Sequence, residues 1–201
     1  MLADFEGDEL EPFEEYDGVR FEGLSFGAAA ADNIRLLDCH FSRTTFEQTR
    51  CDRCAVVDST MDDVRWIGAG FPDSEWREVT VSKSLAAGVD LTGASLLRVT
   101  FSDCKLQTVN LRGAKLKDVT FDRCVITELD VLGASLTKVT FRDSTIVDLN
   151  LTNATLAETD FRTSALEVRH GHLALAGAII ELEQLVGLAP GIAEAIGIDV
   201  R

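Results

Sequence analysis

The chain has 201 residues, 46% of them apolar, enough for one domain with a continuous core and too many for disorder over most of its length. Its formal net charge of −15 argues against nucleic acid or an anionic membrane as direct partner, and no apolar run approaches the ~18 residues of a membrane span. The five cysteines, an odd number without the spacing of a disulfide framework, are expected to be reduced and buried, and a cytoplasmic location is expected.

Residues 1–18 are an acidic leader or cap. They hold eight acids (Asp4, Glu6, Asp8, Glu9, Glu11, Glu14, Glu15, Asp17) and no Lys or Arg, without the basic-then-apolar order of a signal peptide. Phe5 and Phe13 either cover the first turn of the repeating region or belong to a disordered tail. Residues 19–182 carry 23 acidic and 18 basic groups, so more than half of the charge excess lies in the leader.

From Phe21 an apolar residue recurs at every fifth position through Phe26, Ala31, Leu36 and onward to Phe161 and Leu166. All 30 such positions are apolar, and nine of the eleven phenylalanines fall on them. Two residues before each centre lies a second class, small or β-branched almost throughout (Val79, Ser84, Val89, Ala94, Val99, Cys104), with Leu24, Ile34, Leu129 and Leu149 its largest members. Positions two apart in extended chain share a side, so each five-residue unit points one large and one small residue inward. A helix would spread this period around its axis, and a flat strand would flip face at every unit. The chain must turn once per unit. A 20-residue super-period says that four turns close a square: Val99-Thr100-Phe101 returns at 119–121 and 139–141, and Leu91–Leu96 (LTGASL) returns at 111–116 and 131–136. Gly93, Gly113 and Gly133 form a column at one turn, where a positive φ suits glycine.

After Leu166 the register slips. The face expected at residue 171 reappears at Leu175–Ile180, four residues late, which predicts a small loop over 167–172. Residues 183–201 then form a C-terminal helical cap, with Pro190 implying a kink or two short helices, Gly197 a C-cap and Ile198–Val200 a short strand. Its apolar residues either seal the core or join two chains, with Leu182, Leu185, Val186, Leu188, Ile192 and Ile196 as the candidate dimer interface.

Cys51 and Cys54 have the spacing of half a zinc site, but both are inward positions and no matching half exists; His40 points outward. His170 and His172 are read as solvated loop residues. No metal, cofactor or catalytic residue is expected, because a rod with short uniform turns offers no concavity for convergent groups. Outward columns mix signs, as at Asp58, Glu78, Arg98, Asp118, Lys138 and Glu158, which suits stacked solvated faces. The later coils retain acids at Asp118, Glu128, Asp130, Asp143, Asp148, Glu158 and Asp160, the candidate acidic partner face.

This repeat resembles the pentapeptide-repeat family, whose consensus is A(D/N)Lxx with Leu or Phe as centre. The resemblance covers about residues 19–182. It implies an all-β solenoid, a right-handed quadrilateral β-helix, of about eight coils here. Well-known members are dimeric, non-enzymatic rods that imitate DNA, bind DNA gyrase and topoisomerase IV, and protect against fluoroquinolones. The unbroken register is similar to the loop-free mycobacterial-type members. A structural or adaptor solenoid with another protein partner is the alternative that the resemblance also allows.

Overall fold

In the computed structural model, which describes residues 2–199, the chain is a β-solenoid of about nine turns with a single C-terminal helix. Three parallel sheets form three sides of the square. The first has ten strands, from Ala3–Asp4 through Val19–Glu22 and Thr100–Ser102 to Ala178–Ile179; the second runs from Glu15–Asp17 to Thr155–Ala157, and the third from Ser25–Phe26 to Ala165–His170, with eight strands each. The fourth side holds only isolated bridges in the early coils, from Ala30 through Arg50 and Gly70 to Asp90. Later the strands of the third sheet lengthen to six residues, as in Leu85–Asp90 and Lys105–Asn110, and carry pairing around the corner onto it.

The expected two-residue inward pattern is what the coils bury. Each strand pairs with the one 20 residues on, so identical positions stack: Phe101 on Phe121 on Phe141 on Phe161, with ring centroids 5.0, 4.8 and 4.9 Å apart and planes within 6° of parallel. Polar members of the small inward column are satisfied locally. Ser144 Oγ donates to the Arg142 carbonyl (2.8 Å) and accepts from the Cys124 amide (2.9 Å). Each such residue thus replaces a methyl-sized filler without leaving a buried donor unpaired.

From Asn33 to Thr163 every corner is made by one residue in the left-handed region. The glycine column extends in both directions to side chains that lack glycine's freedom: Phe13, Asn33, Arg53, Asp73, then Gly93, Gly113, Gly133 and Asn153 all have φ between 54 and 71°. The other three corners are equally regular, and charged residues such as Asp58, Lys83 and Glu128 occupy them. A non-glycine residue there costs on the order of 1 kcal/mol, and the coil repeats that cost because the stacked core on either side fixes the turn.

The ends depart from expectation. The leader is ordered as part of the solenoid: Tyr16 takes the centre position five residues before Phe21 and pairs opposite Leu36, while Ala3–Asp4 adds a strand over Val19–Arg20. Phe5 packs on Phe21 with ring centroids 4.8 Å apart and planes tilted by 33°, and Leu10 is buried, so these two cover the first coil. Phe13 does not; as a corner residue it points out and is 78% exposed.

Residues 167–170 are strand, not loop. His170 pairs opposite Asn150, so the 20-residue spacing survives a local bulge. The irregularity comes after it. Gly171 leads into a 3₁₀ turn at His172–Leu175, and Ala178 then pairs opposite Thr159, one residue short of a full coil instead of four residues over. The last coil is tight: a Cβ on Gly171 would lie 2.3 Å from the Leu151 carbonyl carbon, and one on Gly177 2.1 Å from the Leu156 oxygen. Leu182–Ala195 form one helix with Pro190 inside it, not two. Its start is the capping box Glu181–Gln184, and its end a Schellman turn in which Gly197 (φ 82°) donates to Glu194 and Ile198 to Ala193. Ile198 and Asp199 form no strand, and Val200 lies outside the described residues.

Candidate partner surfaces

The terminal helix lies across the last coil and divides the six candidate interface residues. Leu188 is buried against the core and Ile192 packs partly against it, so these two seal the solenoid. Leu182 (75% exposed), Val186 (67%), Ile196 and Leu185 face outward. Gln184 adds a polar seal, its side-chain amide donating to the Phe161 and Ser164 carbonyls, both at 2.7 Å, while Glu181 accepts from the Thr163 amide. Sequence reasoning missed this pair because Glu is not among the Ser, Thr, Asp and Asn residues that ordinarily open a capping box, and only the Gln three residues on matches the signal.

The seven acids of the candidate face are spread around the square. Asp118 and Glu158 stand on the corner between the second and first sheets, Asp143 on the corner between the first and third, and Asp160 on the first sheet itself. Glu128, Asp130 and Asp148 are brought together in one groove where the third sheet bends onto the fourth side. That groove also holds Arg112, Arg169 and His170. Arg112 binds Asp130 at 2.7 Å and Arg169 binds Asp148 at 3.1 Å, while Glu128 accepts the Thr108 hydroxyl. Asp160 is clasped by Arg162 at 2.7 Å, and the guanidinium's hydrogen bonds hold its carboxyl below the usual range. Three of the seven acids therefore carry an arginine.

A ladder of alternating Asp and Asn lines the same side. Asp90 accepts from Asn110 Nδ2, and Asp130 from Asn150 Nδ2, both at 3.1 Å. Each also turns the chain by accepting the amide two residues on, as Asp130 does from Leu132. Alternation keeps like charges from facing one another one strand spacing apart. These carboxylates are thus part of the coil's own structure.

The cysteines are all buried. Burial pushes the Cys51 thiol up to about 12 and raises Cys54 as well, as their inward filler positions lead one to expect. Among the described residues no group of three His, Cys, Asp or Glu side chains is placed to hold a metal ion. His40 Nδ1 meets the Thr60 hydroxyl on the outer surface at 2.6 Å, His170 is exposed, and the His172 ring sits against Gly191 of the helix.

Comparison with known proteins agrees with this architecture. Residues 94–170 match the family model described as a pentapeptide repeat region. No curated protein sequence matches the chain. A trypsin-treated variant of QnrB1, a plasmid-mediated fluoroquinolone resistance protein, is 13% identical over 96% of this chain and 97% of its own, with a TM-score of 0.52. HetL, a pentapeptide-repeat protein involved in heterocyst differentiation regulation in the cyanobacterium Nostoc sp. strain PCC 7120, is 16% identical over 86% of this chain and 90% of its own; its TM-score of 0.28 carries no argument. The QnrB1 likeness shows a shared fold and nothing finer. A five-residue beat that closes a square every twenty residues is what this chain shares with the pentapeptide-repeat proteins, whose family model matches residues 94–170.

Proposed function

We propose that the chain is a non-enzymatic, protein-binding rod that pairs through its terminal helix and presents its coils to a basic partner. The observation that supports this reading is how the exposed side chains are sorted. Apolar ones gather on the helix at Leu182, Leu185, Val186 and Ile196, while the coils expose mainly polar and charged groups. A net charge of −15 favours a partner whose surface is positive. DNA gyrase and topoisomerase IV, whose DNA-binding surfaces are basic, are the partners to test first, with protection against fluoroquinolones as the associated activity.

A second reading, an adaptor for another protein, is favoured by the charge map. Asp118, Asp143 and Glu158 stand on two different corners, and Asp130, Asp148 and Asp160 each carry an arginine, an arrangement unlike a continuous row of phosphates. Supercoiling by gyrase and decatenation by topoisomerase IV, each with and without a fluoroquinolone, separate the two. Inhibition by the protein alone, or relief of drug-stabilised cleavage, supports the first reading. No effect at micromolar protein removes it and leaves the adaptor.

A further inference from the structure

One column of small inward residues runs Ser84, Cys104, Cys124, Ser144 and Ser164, with two thiols among its hydroxyls. Cys104 and Cys124 hold equivalent places in neighbouring coils. Strand pairing is in register on both sides of them, Ser102 opposite Asp122 and Lys105 opposite Val125, and the Val125 amide donates to the Cys104 carbonyl at 2.9 Å. Their α-carbons are therefore about one strand spacing apart, ~4.8 Å, inside the range of about 4.4–6.8 Å that a disulfide spans. Among the five cysteines no other two share a column.

Both thiols lie in the core. Cys124 Sγ leans toward the coil that holds Cys104, 3.5 Å from the Phe101 carbonyl, while Cys104 Sγ donates to the Ser102 carbonyl at 3.2 Å. The two are also chemically unequal. Cys104 alone of the five thiols is held below the usual value, chiefly by a hydrogen bond from Cys124, and the same contact raises Cys124. One sulfur thus favours the thiolate that begins thiol oxidation, and a second thiol stands against it to resolve the product.

We propose that Cys104 and Cys124 form a reversible disulfide in response to a peroxide, stapling two neighbouring coils in the middle of the rod. A peroxide is the oxidant because a molecule close to water in size reaches a pair this deep on local opening of the coil. The Cys104 thiolate attacks one peroxide oxygen, the O–O bond breaks, and the leaving hydroxide takes up the thiol's proton as water; Cys104 is then a sulfenic acid. The Cys124 sulfur attacks that sulfur, the S–O bond breaks, and a second water leaves with the Cys124 proton. Two thiols lose two electrons and two protons, and one peroxide becomes two waters. Side chains stacked directly hold their β-carbons near ~4.8 Å, slightly wider than the ~3.5–4.5 Å of most disulfides, so the bond is of the kind that thiols readily reopen.

The test exposes the full chain to hydrogen peroxide, then denatures it and counts free thiols. The count should fall from five to three, dithiothreitol should restore five, and a peptide map without reductant should join residue 104 to 124. The midpoint of urea unfolding should rise on oxidation and return on reduction, since the bond closes a loop of one whole coil. Serine already fills this column at 84 and 144, so Cys124→Ser should fold, and peroxide should form no disulfide in it. Five thiols left after peroxide would overturn the proposal. So would a bond between Cys51 and Cys54, a bond between two copies, or a sulfinic acid at Cys104 with Cys124 still free. If the serine variant misfolds by circular dichroism, the peptide map of the natural chain decides.

Discussion

Replacing Phe121 by leucine tests whether the solenoid is held by stacking between neighbouring coils or by burial alone. The ring is 2% exposed and lies between Phe101 and Phe141 at 5.0 and 4.8 Å, within 6° of parallel to each. Leucine keeps most of the apolar volume, so the loss is chiefly the two ring–ring terms, each ~0.5–1.5 kcal/mol beyond burial. The expected destabilisation is therefore about 1–3 kcal/mol. Phe161 is as deeply buried but ends the ladder, with one stacked neighbour at 4.9 Å, so Phe161→Leu should cost about half as much. Equilibrium unfolding in urea, with the slope checked for constancy, reads both values. A double cycle of Phe121→Leu with Phe141→Leu should show coupling of ~0.5–1.5 kcal/mol, whereas Phe101 and Phe161, three coils apart, should be additive. Equal costs at 121 and 161, or no coupling between 121 and 141, would refute nearest-neighbour stacking as the source of stability.

The ends and the interior give further expected outcomes. Leu182→Ser with Val186→Ser should change stability by less than about 0.5 kcal/mol yet lower the solution mass measured by sedimentation, whereas Leu188→Ala should cost about 2–5 kcal/mol; an unchanged mass in the first variant would remove the assigned interface. Ala86 follows Trp66 and precedes Leu106 in its inward column and lines an apolar void of about 30 Å³. Ala86→Val should raise stability by about 0.7 kcal/mol, from ~24 cal/mol per Å³ of cavity filled, seen as a higher urea midpoint. Gly113→Ala meets nothing within 4 Å and should cost only the left-handed backbone term, ~1 kcal/mol, while Gly177→Ala also drives a methyl into the Leu156 carbonyl and should cost measurably more. With the Cys39 and Cys51 thiols pushed up to about 11 and 12, chiefly by burial, a thiol reagent at pH 8 should leave both unmodified in native protein and modify them only on unfolding.

The middle of the molecule was readable because one rule repeats. Apolar at every fifth position, with a 20-residue echo, admits only a four-sided coil, and Phe21 to Leu166 take their places accordingly. What was not readable lies where a different force decides. Tyr16 continues the same beat but sits among acids, so composition masked it. Charged residues in left-handed corners, such as Lys83 or Glu128, carry no local signal, because stacking of the coils imposes that conformation on them. Pro190 suggested a break, yet the carbonyl it would have engaged belongs to Val186 on the exposed side of the helix, where water can serve it. The acids looked like a face when numbered along the chain. Folding by twenty sends Asp118, Asp143 and Glu128 to different corners, and Arg112, Arg162 and Arg169 then reach their neighbours from within the coil or the next one.

The constancy of the coil also makes length a heritable quantity in fixed increments. Gly93-Ala94 and Gly113-Ala114 occupy equivalent places, so a chain lacking residues 94–113 would rejoin Gly93 to Ala114 with every inward residue still facing inward. The rod would shorten by one strand spacing, ~4.8 Å, and both ends would keep their finish. A gene for such a protein can therefore be cut or extended in steps of sixty nucleotides without a new folding solution. Whatever the rod spans in a complex, its reach is set by a count of coils, much as the notches on a gauge set what it measures.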